Sequence, residues 1–271
     1  MSIATPLKRV FDLTGKRAVV TGAAGHLGQA ITTGLADAGA DLLLVGRNRS
    51  KLETLVESLR AQGRSATCEA LDLSQPEEIS AFSEKLVSEG QPVDILVNNA
   101  YSGVTNSLEN STADQYASSY QIGMIAAAEL VRTLLPAMRA AVARRGDASV
   151  VNIASMYGHV SPDARIYGDS GQNNPPFYGA VKGALIQYTR YAACHLAKDG
   201  VRVNAVSPGP FPPISFRETK PEFYKELLNK VPMGRIGLPE DLSGPVVFLS
   251  SSAAAYITGV NLPVDGGWTA W

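Results

Sequence analysis

Hydrophobic and polar positions follow two rhythms along this chain. Leu42–Val45 is an unbroken apolar run of strand length, the pattern of a strand buried on both faces. Arg17–Val20, Val93–Val97, Val150–Ile153, Val201–Val206 and Val260–Val264 read the same way. Between them lie stretches with helical spacing. One runs from about Gly28 to Ala38 and ends at Gly39; another opens on a capping box, Ser50–Lys51–Leu52–Glu53, and stops at Gly63. Ser74–Gln75–Pro76–Glu77 repeats the start signal, and Thr112–Ala113–Asp114–Gln115 opens a long helical region that Pro136 is expected to bend or divide. Pro175–Pro176 precedes a helix with the stripe Val181, Leu185, Tyr188, Ala192 and Leu196, closed by Gly200. Alternating strands and helices predict an α/β fold, a doubly wound parallel sheet of about seven strands with helices on both faces.

Composition narrows this only by exclusion. A chain of 271 residues without tandem repeats or a Pro-, Gly- or Ser-rich linker predicts a single domain over 1–271. A formal net charge of −1 offers no footprint for nucleic acid or an acidic membrane surface. No stretch approaches the roughly 18 apolar residues of a membrane span. Met1 to Leu7 shows no apolar run behind a basic patch, so the expectation is a cytoplasmic protein without a signal peptide. Cys68 and Cys194 make neither a disulfide framework nor a metal-ligand spacing, and no metal is expected.

In such sheets ligands bind beyond the carboxyl ends of the strands, which directs attention to the loops after them. The first is Thr21–Gly22–Ala23–Ala24–Gly25–His26–Leu27–Gly28, a glycine-rich turn leading into a helix. Glycines let backbone approach a pyrophosphate, and a helix N-terminus presents free N–H groups and a positive dipole end. The second strand ends Val45–Gly46–Arg47–Asn48–Arg49. An NAD site wants a carboxylate there for the ribose 2′-hydroxyl, whereas Arg47 suits a 2′-phosphate, so NADP(H) is favoured over NAD(H). Asp72, after the third strand, either accepts from an adenine amino group or caps a helix with Ser74.

Tyr178–Gly179–Ala180–Val181–Lys182 sets a phenol and an ammonium four residues apart on one helical face. A nearby ammonium favours the phenolate, which a free tyrosine forms only near pH ~10. The pair follows a strand ending Ile153–Ala154–Ser155. Together with Thr21–Gly28, Asp72–Leu73, Asn98–Asn99–Ala100, Asn204, Pro208–Gly209 and Val264–Asp265–Gly266–Gly267, this pattern resembles the short-chain dehydrogenase/reductase family across nearly the whole chain. The resemblance implies a Rossmann-type fold and a hydride transfer between a nicotinamide and an alcohol or carbonyl carbon. It implies Tyr178 as general acid/base, Ser155 holding the reacting oxygen, and Lys182 binding the nicotinamide ribose and lowering the tyrosine pKa. Asn98 and Ala100 would line the cofactor, with Pro208, Gly209 and Phe211 beside the nicotinamide. A homotetramer built from the long helices and the C-terminal strand is also implied.

Three departures stand out. His26 replaces a usual glycine, with Gly25 one place earlier. Gly123 falls where the family carries an asparagine that helps anchor a relay water, and its carbonyl is the expected substitute. The separation of Ser155 and Tyr178 is long, creating a polar insert over 156–177 with Asp163, Arg165, Tyr167, Asp169, Gln172, Asn173 and Asn174. Such an insert beside the catalytic pair suits a hydroxyl- or carboxylate-bearing substrate. Arg165 is the natural partner for a carboxylate and Asp163 or Asn174 for hydroxyls, unless Arg165 pairs with Asp163 internally. The segment 209–232 corresponds to the family's substrate loop, here stiffened by prolines. Ser155–Met156–Tyr157–Gly158 and the ending Gly267–Trp268–Thr269–Ala270–Trp271 look like gluconate 5-dehydrogenase-type, sugar-modifying members. Trp268 and Trp271 suit an interface or a core equally, and His159 suits a substrate contact or plain surface. The alternatives are a 3-oxoacyl thioester reductase and a catalytically silent dinucleotide-binding protein.

Overall fold

A strand buried on both faces must send its alternate side chains into two different cores, and the computed structural model shows this division. It describes residues 6–170 and 173–271; Gln172 and most of the Met1–Leu7 stretch lie outside the described residues. Helix α1 (Leu7–Val10) leads into β1 (Arg17–Thr21), α2 (His26–Asp37), β2 (Asp41–Gly46), α3 (Arg49–Ala61), β3 (Ala66–Ala70), α4 (Pro76–Ser88) and β4 (Ile95–Asn98). There follow α5 (Ala113–Tyr120), a π-helical segment Gln121–Ile125, α6 (Ala126–Arg145), β5 (Ala148–Ile153), α7 (Pro176–Leu196) and β6 (Val201–Pro208). The chain ends with α8 (Phe216–Thr219), α9 (Pro221–Asn229), α10 (Ser243–Ser250) and β7 (Asn261–Val264).

The seven strands form one sheet in the order β3-β2-β1-β4-β5-β6-β7, every neighbouring pair parallel. Val19, Leu43 and Val45 enter the core beneath α4, α6 and α7; Ala18, Val20, Leu42 and Leu44 enter the one beneath α2, α3 and α10. Each fully buried Leu or Ile stabilises the fold by roughly 2 kcal/mol, so these two layers hold the helices on. A third cluster joins the insert to the C-terminal region through Tyr157, Ile166, Leu227, Val231 and Trp268. Among the described residues no helix is long and apolar enough to cross a membrane.

Several local expectations shift. Helix α2 begins at His26, two residues before Gly28, with Gly25 at its cap. The expected box at Ser50 is pre-empted by Asn48, whose side-chain oxygen accepts from Lys51 N at 2.9 Å. Asparagine and serine cap about equally well, so position decides: Asn48 stands two residues after the end of β2 and just before α3. Gln75, not Ser74, caps α4; the Ser74 N–H donates to Asp72 Oδ1 at 2.9 Å instead. The Thr112–Gln115 capping box forms as expected. Pro136 neither divides nor ends α6, because Leu134, Ala137 and Met138 are buried around it; the discontinuity is the π-helical segment around Gly123.

At the amino ends of the strands, remote from the ligand end, Asp94 is buried and accepts from Arg17 N at 2.8 Å and from Arg145 at 3.1 Å. Asp94→Ala strands a buried backbone donor of β1 and is expected to remove about 2 kcal/mol of stability. Chemical denaturation should show that loss while dinucleotide affinity stays unchanged; a matching loss of affinity would contradict this separation of roles.

Candidate active site

Strand order reverses between β1 and β4, so the loops that follow those strands diverge and leave a crevice. A cavity of about 580 Å³ opens there. Gly22, Gly25, His26, Leu27 and Gly28 line one end, and Ser155, Tyr178 and Lys182 the other. Arg47 contributes from the end of β2, Asp72 and Leu73 from the end of β3, Ala100 after β4, and Pro208, Gly209 and Phe211 after β6.

The turn at the first end has no room for side chains. Gly22 has φ of +64°, and a Cβ there would lie 2.9 Å from the Ala100 Cα. A Cβ on Gly28 would lie 2.1 Å from the Gly22 carbonyl oxygen. With no side chain capping α2, the free N–H groups of its first turn belong to the cleft. This bare, donor-rich cradle fits a pyrophosphate. His26 does not crowd it: its Nε2 lies 3.0 Å from the Phe211 carbonyl, tying the phosphate turn to the start of the 209–232 segment. Arg47 forms no ion pair among the described residues; it makes a long 3.5 Å contact to Ser102 Oγ and acts on the Asp72 carboxylate only through the longer-range field. Arg49, by contrast, pairs with Glu53 on the flank of α3. Asp72 lines the cleft and accepts from Ser74 N ahead of α4; that backbone hydrogen bond holds its carboxyl below the usual range.

At the other end, Ser155 sits at the mouth of β5, 5% exposed, its Oγ accepting from Tyr157 N at 3.2 Å. Tyr178 stands on the first turns of α7, its hydroxyl beside Ser155. Lys182, one turn further, is buried and donates from Nζ to the Ile153 carbonyl at 2.7 Å. Burial pushes the Lys182 ammonium down to about 8. Burial also pushes the Tyr178 phenol up, against a smaller downward pull from Ser155. Loss of hydration sets that direction at Tyr178.

Other expectations resolve more plainly. Asn98 is buried but does not line the large cleft; its Nδ2 donates to Asn152 Oδ1 at 2.9 Å, and Asn152 donates on to Thr189 at 2.9 Å. It faces instead a cavity of about 10 Å³ shared with Gly123 and Lys182, the size that takes one water molecule. Arg165 does not reach the cleft: its guanidinium grips Asp163 with bonds of 2.8 Å and 2.8 Å and stays exposed. Asp163 accepts from Lys230 as well, which clasps the insert to the end of α9. Asn174 keeps its side-chain oxygen buried without a partner among the described residues. The insert is thus polar outside and apolar beneath. His159 meets Asn261 at 3.1 Å, Trp268 packs in the core, and Trp271 is exposed.

A family model described as enoyl-(acyl carrier protein) reductase matches residues 22–269. A 2-dehydro-3-deoxy-D-gluconate 5-dehydrogenase of Dickeya dadantii is 34% identical over 96% of this chain and 98% of its own length. A solved gluconate 5-dehydrogenase of Burkholderia cenocepacia, in complex with NADP and tartrate, superposes with a TM-score of 0.85 at 26% identity, covering 97% of this chain and 99% of that one. A Pseudomonas aeruginosa NADP complex, RhlG, gives a TM-score of 0.86 at 29% identity over 96% and 98%. The chain belongs to the short-chain dehydrogenase/reductase family. It is an NAD(P)-dependent oxidoreductase acting on CH–OH groups.

As a dehydrogenase of this family it has cleft residues that sequence reasoning missed. Lys51, in the first turn of α3, also lines the cleft, four residues after Arg47. Asn99 lines the cleft and braces the turn, donating to the Thr21 and Gly22 carbonyls at 3.1 Å each. Tyr101 follows Asn98–Asn99–Ala100 directly and carries no sequence signal of its own. Its ring lies against Gly123, where a Cβ would come within 3.2 Å of Tyr101 and 3.0 Å of Val181.

Gly123→Asn therefore overpacks a site hemmed by α7 and Tyr101. A strain of about 1–3 kcal/mol exceeds the helix-propensity gain of roughly 0.5 kcal/mol, so the melting temperature should fall. Melting curves of Gly123→Asn, of Tyr101→Ala and of the two together check this: the double change should cost less than the sum of the single ones, and simple additivity would contradict the overpacking.

Lys182 yields a pH prediction. Its native pKa lies below the ordinary 10.5, so between about 8 and 10.5 the unfolded chain holds more protons than the native one. Native stability then rises with pH through that window and loses this contribution below it. Denaturation of wild type and Lys182→Met across pH 7–10 (roughly the range set by the lysine) should show the wild type gaining on the variant; parallel curves would contradict it.

Proposed function

We propose that this protein is an NADP(H)-dependent dehydrogenase/ketoreductase that interconverts a secondary alcohol and a ketone of a small polyhydroxy acid or polyol. The observation that carries this reading is the placement of Ser155, Tyr178 and Lys182 at one end of a cleft whose other end is a bare phosphate cradle flanked by Arg47 and Lys51. The relatives' names support the substrate class: a 2-dehydro-3-deoxy-D-gluconate dehydrogenase, and a gluconate dehydrogenase holding NADP and tartrate.

Gly22, Gly25 and Gly28 with the first turn of α2 would hold the pyrophosphate, and Leu27, Asp72, Leu73 and Ala100 the adenosine side. Arg47 and Lys51 suit a 2′-phosphate, and Pro208, Gly209 and Phe211 would bound the nicotinamide. When bound, the cofactor supplies or accepts the hydride. The chain's own residues handle the proton. Ser155 Oγ donates a hydrogen bond to the substrate oxygen and fixes it beside Tyr178. In the oxidative direction the Tyr178 phenolate takes the hydroxyl proton; in reduction the phenol returns it. Lys182, held by the Ile153 carbonyl, stabilises the phenolate and reaches the nicotinamide ribose. Asn174, with its buried unpartnered oxygen, is the insert's candidate for a substrate hydroxyl, and Arg165, paired with Asp163, is not one. Exposed Tyr116, Tyr120, Ile125 and Tyr191 on the α5–α7 side fit a homotetramer, and the absence of a spanning helix among the described residues fits a cytoplasmic setting.

With a panel of sugar acids, polyols and 3-oxoacyl thioesters, turnover is expected on the sugar acids. Tyr178→Phe should lower kcat by about 100-fold or more while NADP+ affinity is kept. Arg47→Ala should weaken NADP+ by about tenfold or more and leave NAD+ nearly unchanged. Steady-state kinetics and titration calorimetry read both. Preferred turnover of acyl thioesters would move the substrate class, and tight dinucleotide binding without any turnover would point to a silent protein.

A further inference from the structure

Lys182 presents a physical problem that the functional reading leaves open. Its ammonium is buried, forms no ion pair among the described residues, and has one carbonyl acceptor, that of Ile153. Burial alone drives it toward the neutral amine. Yet the proposed role of Lys182 beside Tyr178 requires the charge.

The structure supplies a compensating group. The Lys182 Nζ lies 5.1 Å from the centroid of the Tyr101 ring, and 5.9 Å from that of Tyr178. Tyr101 and Tyr178 pack edge to face with centroids 5.0 Å apart. Tyr101 is anchored for this: its hydroxyl lies 3.0 Å from Oγ of Ser119, a buried residue of α5. Gly103 leaves space over that hydroxyl, where a Cβ would come within 2.6 Å of it. Gly123, one turn beyond Ser119, leaves the space that the ring edge occupies.

We propose that Tyr101 is a positioning residue that keeps Lys182 charged and Tyr178 oriented, with Gly123 as the space that admits its ring. The negative face of an aromatic ring attracts a desolvated cation far more than an exposed one. Stabilising the ammonium in turn favours the Tyr178 phenolate. The other titratable groups facing Tyr178 are Tyr157 and Tyr167 of the insert, both neutral phenols pushed up by burial. Neither supplies a positive charge. The proposal rests on the assignment of Tyr178 and Lys182 above, and applies to whichever substrate the enzyme takes.

Its test needs no substrate. Phenolate absorbance is followed through a pH series, with and without NADP+, for each protein and for its Tyr178→Phe counterpart; the difference isolates Tyr178. Tyr101→Phe keeps the ring, Tyr101→Leu removes it, and pentafluorophenylalanine at 101 keeps its shape while reversing the charge of its face. The expected result is a Tyr178 ionisation unchanged in Tyr101→Phe but moved up by about half to one pH unit with leucine or pentafluorophenylalanine, a three- to tenfold change. The fluorinated ring preserves packing, so the comparison holds even if the leucine variant folds poorly. Coincident titrations for phenylalanine and pentafluorophenylalanine would overturn the proposal alone. No Tyr178 phenolate below pH about 10 even in the presence of NADP+ would overturn the functional reading and the proposal with it.

Discussion

A parallel sheet covered by helices on both faces excludes water along the whole length of its strands. Polar side chains there survive only where they are hydrogen-bonded, and ionisable ones are free to reach solvent only at the strand ends. In this protein β5 and β6 are buried from end to end, and their buried polar residues are paired: Asn152 with Asn98 and Thr189, Ser149 with the Leu249 carbonyl, Arg202 with Asp147. Chemistry is thereby confined to the carboxyl ends, and the reversal of strand order between β1 and β4 sets where the cleft opens.

The amino and carboxyl ends of the sheet consequently do different work. Asp94 with Arg145, and Asp147 with Arg202 and Lys16, tie the lower edge together through charge. The upper edge carries groups that burial makes costly to ionise, Lys182 and Tyr178 above all. Such opposed shifts on adjacent groups are a usual mark of a proton-transfer site. Here the aromatic face of Tyr101 and the single carbonyl of Ile153 take the place of a carboxylate, which would have neutralised the lysine's effect on the phenol.

Described residues of the insert over 156–177 pack against the segment over 209–232. Ile166, Leu227, Val231 and Trp268 share a small apolar core, and Asp163 joins Arg165 to Lys230 across it. The His26 contact to the Phe211 carbonyl ties that segment to the phosphate turn. Of the two partners open to Arg165 in sequence, a substrate carboxylate or an internal acid, the structure has the internal one, Asp163, two residues away.

Period and punctuation determined much of this protein without any coordinates. Apolar runs marked the strands, the glycine turn Gly22–Gly28 marked the phosphate cradle, and Tyr178 and Lys182 fell one helical turn apart because four residues is one turn of a helix. These features are local, so adjacent residues suffice to specify them. Tertiary structure decided the rest. The burial of Tyr178 and Lys182, the turning of Asn98 away from the large cleft, and the meeting of Tyr101 with Gly123 and Lys182 all depend on residues distant in sequence. Desolvation and ring contact are properties of what surrounds a side chain, and only the packed fold assembles those surroundings.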